Sequence, residues 1–376
     1  MITKMKLADP KSFVAKNQPV FVYDIHKSWE QNIKEGPIWK SGKFPPLPQE
    51  KKYQFLGQRL VSPIAISAGP ASTKIWTDFY FKMGYGLVFE KTRRTIPRKS
   101  NTAPNIAIVK LDHSIARENL NQKLEATMED SDWEKYQCMT NSFGNPSPTM
   151  EVWTKELIEQ KKGVGEGQLL GCSVTATLHS GATMEDAALD LLMAGTAAAI
   201  SGAQVLEFNL ACPNVTENSV EGEMFQDEKL VACILREFKK RFSALPCGFK
   251  FGIYKSKQQM KKVFVAAGEN LDYVSGINAI AMTVLGEKGE EILPGRKISG
   301  VCGRADQIIA LEHIKWADEI RKEEGLKYEI LGGGGIITPA DVDRYLKAGA
   351  DMVQIAAAAL SDPLLAYKYR LFYGKI

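Results

Sequence analysis

Eight short apolar runs, separated by longer stretches of helical character, constrain the fold of this chain more than any other feature. They lie near 63–67, 86–90, 169–175, 205–210, 248–253, 278–283, 328–333 and 352–356. A strand that is apolar almost throughout is buried on both faces, as in a parallel sheet covered by helices. Eight such units predict an α/β fold closed into a (β/α)8 barrel, the TIM barrel. The helices between them carry start signals. Thr338-Pro339-Ala340-Asp341 offers an N-cap, a proline at the first helical position and an acid at the third. Val342, Tyr345 and Leu346 continue one helical face and Gly349 ends it, while Ser361-Asp362-Pro363 is expected to open the last helix.

The segment before the first run is irregular and mixes Phe21, Tyr23, Trp29 and Trp39 with several prolines. We expect residues 1–52 to form an N-terminal arm lying on the surface of a barrel domain built from 53–376. Two connections, 92–168 and 284–303, are too long for plain barrel loops. Both leave the C-terminal end of a strand, the face where such barrels keep their active sites, and long loops in compact domains usually carry function.

Composition excludes several classes of function. Forty-eight Lys and Arg nearly balance 44 Asp and Glu, and the basic residues are scattered, which speaks against nucleic acid. The six cysteines form no C-x-x-C pair, so neither zinc nor an iron–sulfur centre is suggested and no metal is expected. The start, Met1-Ile2-Thr3-Lys4, leads into polar sequence without an apolar signal region. The longest apolar stretch, 187–200, is interrupted by Asp190 and too short to span a bilayer. The expectation is a cytoplasmic protein that does not engage a membrane.

Two segments carry the chemistry. Leu331-Gly332-Gly333-Gly334-Gly335-Ile336 follows the seventh run, and its glycines let the backbone approach a ligand and expose N–H donors. A capped helix begins just beyond and adds its positive end, so this segment and the one ending at Gln354-Ile355-Ala356-Ala357 form the phosphate grip usual for barrels. The second segment is Phe208-Asn209-Leu210-Ala211-Cys212-Pro213-Asn214, at the end of the fourth strand. Its two asparagines supply the paired donors and acceptors that suit a planar ring, and they flank a thiol at the barrel mouth.

This segment resembles the catalytic loop of dihydroorotate dehydrogenases and of the related dihydropyrimidine dehydrogenase barrel. The resemblance runs from about Phe55 to Tyr369. It also takes in Ser67-Ala68-Gly69, Lys91-Thr92, Asn141-Ser142-Phe143-Gly144-Asn145-Pro146, Lys250, Asn278, Ser299-Gly300, Gly334-Gly335-Ile336 and Gln354-Ile355. It implies an FMN-dependent oxidoreductase of pyrimidine biosynthesis, with FMN across the barrel mouth. Ser67, Ala68 and Gly69 would pass along the flavin ring, with Lys91, Thr92 and Asn209 beside it. Gly300, Gly334, Gly335, Ala356 and Ala357 would surround the phosphate. Lys250 would face the pyrimidine side of the ring, where a fixed cation stabilises the anionic reduced form. Lys91, Asn141, Asn209, Asn214 and Asn278 would bind the substrate. Dihydroorotate would give hydride to the flavin and a proton to Cys212, a residue type whose free thiol ionises at roughly 8.5. In the family a cysteine here marks soluble forms and a serine the membrane-bound ones. Relatives are often homodimers, and fumarate, quinone or a partner subunit relaying electrons to NAD are the acceptors it leaves open.

Four departures from the family pattern stand out. Ala356-Ala357 replaces Gly-Thr or Gly-Ser, Ala279 replaces a Ser or Thr near the pyrimidine, Asn145 stands where an apolar residue is common, and about 25 residues, 115–139, are inserted. Dehydrogenation of a uracil- or thymine-type dihydropyrimidine therefore stands beside dihydroorotate oxidation. A non-redox phosphate-binding barrel is the alternative from another class, and a barrel retained only as a scaffold is a third.

Overall fold

The computed structural model describes residues 20–179, 181–212 and 222–373. Eight parallel strands close into a barrel in sequence order: β1 (Ile64–Ile66), β2 (Leu87–Arg93), β3 (Leu169–Val174), β4 (Val205–Asn209), β5 (Cys247–Lys250), β6 (Tyr273–Gly276), β7 (Glu329–Gly333) and β8 (Met352–Ile355). Pairing of Val353 with Ile64 and of Ile355 with Ile66 shuts the ring. Helices α1 (Lys74–Met83), α2 (Met150–Lys161), α3 (Met184–Ile200), α4 (Glu228–Arg241), α5 (Lys257–Ala267), α6 (Gln307–Glu323), α7 (Pro339–Lys347) and α8 (Leu365–Phe372) connect and cover the strands. Among the described residues no helix is long and apolar enough to cross a membrane.

Seven strands fall where the apolar runs lie. The sixth does not. The run at 278–283 belongs to another sheet, and β6 is the short Tyr273-Val274-Ser275-Gly276 just before it. Its Ser and Gly dilute the apolar signal, while the strand Ile280–Leu285 buries only alternate residues, as a half-exposed antiparallel strand does. Thr338 forms the expected capping box with Asp341 at the start of α7. The last helix begins later than expected, at Leu365. Ser361-Asp362-Pro363 instead joins it to a five-residue helix, Ala357–Ser361.

Inside the barrel the side chains change character along each strand. Alternate residues face inward. At the N-terminal end these are Ala65, Leu87, Leu169, Val205, Tyr273, Leu331 and Met352, which form one apolar cluster with Phe89 of β2 and with Phe55 and Leu60 of a small hairpin, Tyr53–Phe55 with Gln58–Leu60. The hairpin plugs that end, with Phe55 edge-on to Tyr273 at 6.0 Å between ring centroids. Two residues further along several strands the inward positions are Ser67, Lys91, Glu207, Lys250, Ser275, Gly333 and Gln354, so the upper layer is polar.

The two long connections do not stay loops. Strands Ile106–Val109, Lys123–Thr127 and Cys138–Asn141 from the first join Ile298–Gly303 from the second and the displaced sixth run, Ile280–Leu285, closing a separate five-stranded barrel. The 115–139 insertion supplies the strand Lys123–Thr127, which pairs with Ile280–Leu285, and Trp133, which packs on Phe21 at 5.4 Å. The arm is likewise more than a surface appendage over its described part. Phe21, Val22, Tyr23 and Ile25 are buried, and Val22 N donates to Leu360 O at 2.7 Å.

Phe55→Ala should remove the plug and cost about 3–5 kcal/mol of stability, read from urea unfolding. A loss under 1 kcal/mol would show that the hairpin adds little to the barrel floor.

Candidate active site

The polar upper layer is the floor of a cleft of about 1260 Å3, mouth included, at the C-terminal end of the barrel strands. At its base Glu207, fully buried on β4, accepts hydrogen bonds from Ser173 Oγ at 2.9 Å and Ser275 Oγ at 2.6 Å. Its Oε1 lies 3.1 Å from Nζ of Lys250, which reaches Ser67 Oγ at 3.5 Å. A lysine can be buried on β5 because this carboxylate is buried beside it.

Lys91 rises from β2 over the ring of Phe143, 4.8 Å from its centroid. Burial lowers its ammonium to about 8, with Cys212 opposing the shift and Arg93 and Lys250 adding to it. The asparagines form a second set. Asn209 donates to Thr92 Oγ1 at 3.1 Å and accepts from Asn278 Nδ2 at 3.3 Å, and Asn278 Oδ1 accepts from Ala279 N at 2.9 Å. Asn141 comes from the small barrel, where its Nδ2 donates to Gly300 O at 3.4 Å. Cys212 borders the same cleft and is buried, only 5% exposed.

At the opposite end Gly334 and Gly335 adopt φ of 108° and 73°. A Cβ on Gly335 would come within 2.7 Å of Gln307 Cα, so only glycine fits there. Gln307 Nε2 fixes the turn by donating to Gly335 O at 2.9 Å and to Asp341 Oδ1 at 2.8 Å. Oε1 of Gln354 is buried with no hydrogen-bond partner among the described residues, an orphan acceptor in the cleft wall. Asp306 lies close by, and burial pushes its carboxyl well above the ordinary carboxylate range. That burial disfavours a negative charge on Asp306 against an anion bound by the glycines. A bare glycine turn, a directed cation at Lys250 and an unsatisfied amide together fit a ligand that carries both a polar ring and a phosphate.

The structure thus gathers Ser67, Ala68, Gly69, Lys91, Asn141, Asn209, Cys212, Lys250, Asn278, Gly334, Gly335, Ala356 and Ala357 around one cleft. Thr92 and Gly300 are not in its wall. Thr92 stands behind Asn209 as a hydrogen-bond acceptor. Gly300 is taken up in the small barrel opposite Asn141, and Gly303, at φ 90°, reaches the cleft instead. Asn214 lies outside the described residues. Sequence reasoning passed over Tyr23 and Trp29 of the arm, Cys302 and Gly303 of the second connection, Asp306 just after it, and Glu207. An acid inside the fourth apolar run was a signal for Glu207. The aromatics of the arm gave none that separates cleft wall from packing. No group of three or more His, Cys, Asp and Glu among the described residues could hold a metal ion.

Fold and cleft together define a (β/α)8-barrel enzyme whose site sits at the C-terminal face, capped by a second small barrel. The chain matches the family model described as dihydroorotate dehydrogenase over residues 51–368. It is 32% identical over 365 residues to a dihydroorotate dehydrogenase of Dictyostelium discoideum, spanning 94% of this chain and 97% of that protein. It is also 26% identical over 230 residues to dihydroorotate dehydrogenase A (fumarate) of Lactobacillus delbrueckii subsp. bulgaricus, covering 60% of this chain and 68% of the relative. Over 162 residues it is 28% identical to the catalytic subunit of dihydroorotate dehydrogenase B (NAD(+)) of Oceanobacillus iheyensis, covering 43% of this chain and 50% of the relative. The crystal structure of a DHODH from Eimeria tenella in complex with ferulenol superposes with a TM-score of 0.64 at 16% identity, over 86% of this chain and 85% of that one, a likeness of fold. The chain belongs to the dihydroorotate dehydrogenase family.

Lys91 is an ammonium below about pH 8 and an amine above it. Affinity for the planar carboxylate orotate, read by calorimetry from pH 6 to 9.5, should fall as pH rises through that value. Lys91→Gln should bind weakly at every pH and lack the step, whereas an unchanged step in the variant would locate the titration elsewhere.

Proposed function

We propose that this chain oxidises dihydroorotate to orotate with bound FMN, using Cys212 as the base. The observation that carries the reading is the convergence of Cys212, Lys91 and three asparagines on one cleft that also contains a glycine cradle, in a chain of this flavin-dependent family. FMN would be held by Ser67, Ala68 and Gly69 along the ring, by Lys250 at its pyrimidine side and by Gly334, Gly335, Ala356 and Ala357 at the phosphate, with Lys91, Thr92, Asn209 and Gly300 in support. When bound, it supplies the hydride acceptor of the reaction.

The rest of the chemistry belongs to the chain. Lys91 offers its charge to the substrate carboxylate, and Asn141, Asn209 and Asn278 bind ring and carboxylate groups, with Asn214 as the fourth amide. The Asn209–Asn278 hydrogen bond fixes the two amides relative to each other before any ligand arrives. Cys212, as the base, takes the proton from the ring carbon next to the one that loses hydride, so one proton and one hydride leave and the ring gains its double bond. Proton transfer by a positioned group is worth about 10^2–10^4-fold in rate.

Ala279 favours a second reading, oxidation of a dihydropyrimidine without the carboxylate, or reduction of the corresponding uracil or thymine. It removes a hydroxyl from the ring end of the cleft, and an unmet hydrogen bond there costs about 1–3 kcal/mol. Turnover with dihydroorotate and with dihydrouracil decides between them. We expect dihydroorotate to be the better substrate by kcat/KM; a preference for dihydrouracil would replace the first reading with the second. Cys212→Ala should keep its flavin and lose about 10^2–10^4-fold in turnover. Normal turnover in that variant at neutral pH would remove Cys212 from the mechanism.

A further inference from the structure

Glu207 is not among the residues lining the cleft, yet it is a fully buried acid directly beneath it. Both its oxygens are engaged: Oε1 by Lys250 Nζ at 3.1 Å and Ser173 Oγ at 2.9 Å, Oε2 by Ser275 Oγ at 2.6 Å. The three partners come from three strands, β5, β3 and β6, so the carboxylate is fixed in position and Lys250 is fixed to it. Lys250 itself is 4% exposed and borders the cleft. A carboxylate this deep is costly unless its charge is matched, and so is the ammonium; each makes the other tolerable.

We propose that Glu207 is a positioning residue for the redox step: it keeps Lys250 a fixed cation, aimed past Ser67 at the bound flavin, before and after reduction. The inference rests on the assignment of FMN to this cleft. Among the described residues the groups that face the pair are few. Ser67 of β1, Ser173 of β3 and Ser275 of β6 are neutral. Lys91 of β2 feels the charge of Lys250, and Cys172 and Tyr273 feel that of Glu207. Lys91 is the one other cation at the cleft floor among these, and it repels Lys250, so Glu207 is the group that opposes loss of the Lys250 proton.

A consequence follows for proton balance. With Lys250 already charged, reduction of the flavin draws no proton to the lysine. Glu207→Gln keeps the shape and can still accept hydrogen bonds, but leaves a buried amine beside Lys91 without a counter-charge. That amine would be neutral against oxidised flavin and would take up a proton when the reduced, anionic form appears. The variant should therefore couple one more proton to reduction, and its preference for reduced over oxidised FMN should fall about tenfold further per pH unit than the wild type's in the alkaline range.

The test is the midpoint potential of bound FMN against pH, for wild type, Glu207→Gln, and Glu207→Gln combined with Lys250→Arg, since arginine cannot lose its charge. A steeper slope in the single variant, restored in the double, is the expected result. Parallel slopes in all three, in proteins that hold FMN, would overturn the proposal and leave Glu207 a structural residue. A wild-type protein that binds no FMN would instead remove the cofactor assignment. A second measurement needs neither variant nor flavin: an NMR titration of lysine Cε in the wild-type protein. Lys250 should remain an ammonium across the range in which Lys91 titrates. If Lys250 loses its proton below Lys91, the proposal fails.

Discussion

Closure of the barrel makes every inward side chain answer to every other, because β8 hydrogen-bonds back to β1 and no strand can slip by one residue without turning its own inward side chains outward. Within that constraint the chain solves two problems at once. At one end the interior is filled by an apolar layer and a hairpin that carries Phe55 into it. At the other end the same strands point Ser67, Lys91, Glu207, Lys250 and Gln354 into the lumen, groups that stay buried only because they are paired with one another or await a ligand. The apolar floor holds the ring closed, and the ring holds the polar groups at fixed separations.

Above the strand ends, two connections about 140 residues apart in sequence build a second barrel, and this is what turns an open barrel mouth into a cleft. Asn141, Cys302 and Gly303 reach the site from its strands, and Phe143 follows directly on one of them. The arm closes the side nearest Phe143, where Tyr23 lies edge-on to the phenyl ring at 6.0 Å. Lys91 sits against the other partner of that ring system, so its charge is buried by aromatic surface rather than by a carboxylate. That difference separates the two lysines of the cleft: Lys250 has Glu207, while Lys91 carries its charge unmatched by a buried acid and has a lowered affinity for its proton.

Much of the architecture was legible in the sequence, because strands buried on both faces leave unbroken apolar runs. It failed at β6, where Ser275 is needed to hold Glu207 and Gly276 leaves no side chain to count. The small barrel was not legible because its strands are short and come from two distant segments, and two of them, Lys123–Thr127 and Ile280–Leu285, bury only alternate residues. The cleft residues could be found by their chemistry wherever polar groups end apolar strands, as Asn209 and Lys250 do. Gly300 and Gly303 could not be told apart, since only the φ of 90° at Gly303 marks which glycine turns into the cleft. Glu207 stood out only as an acid inside a run that reads as core; its meaning depends on a lysine 43 residues later in the chain.

The central claim is that one cleft holds a flavin and dihydroorotate so that electrons pass between them. The most direct measurement is the visible spectrum of the purified, FMN-loaded protein on anaerobic addition of dihydroorotate, with no acceptor present. Loss of the oxidised-flavin absorbance and formation of orotate in equal amount is the expected result. A flavin that stays oxidised with dihydroorotate would contradict the claim.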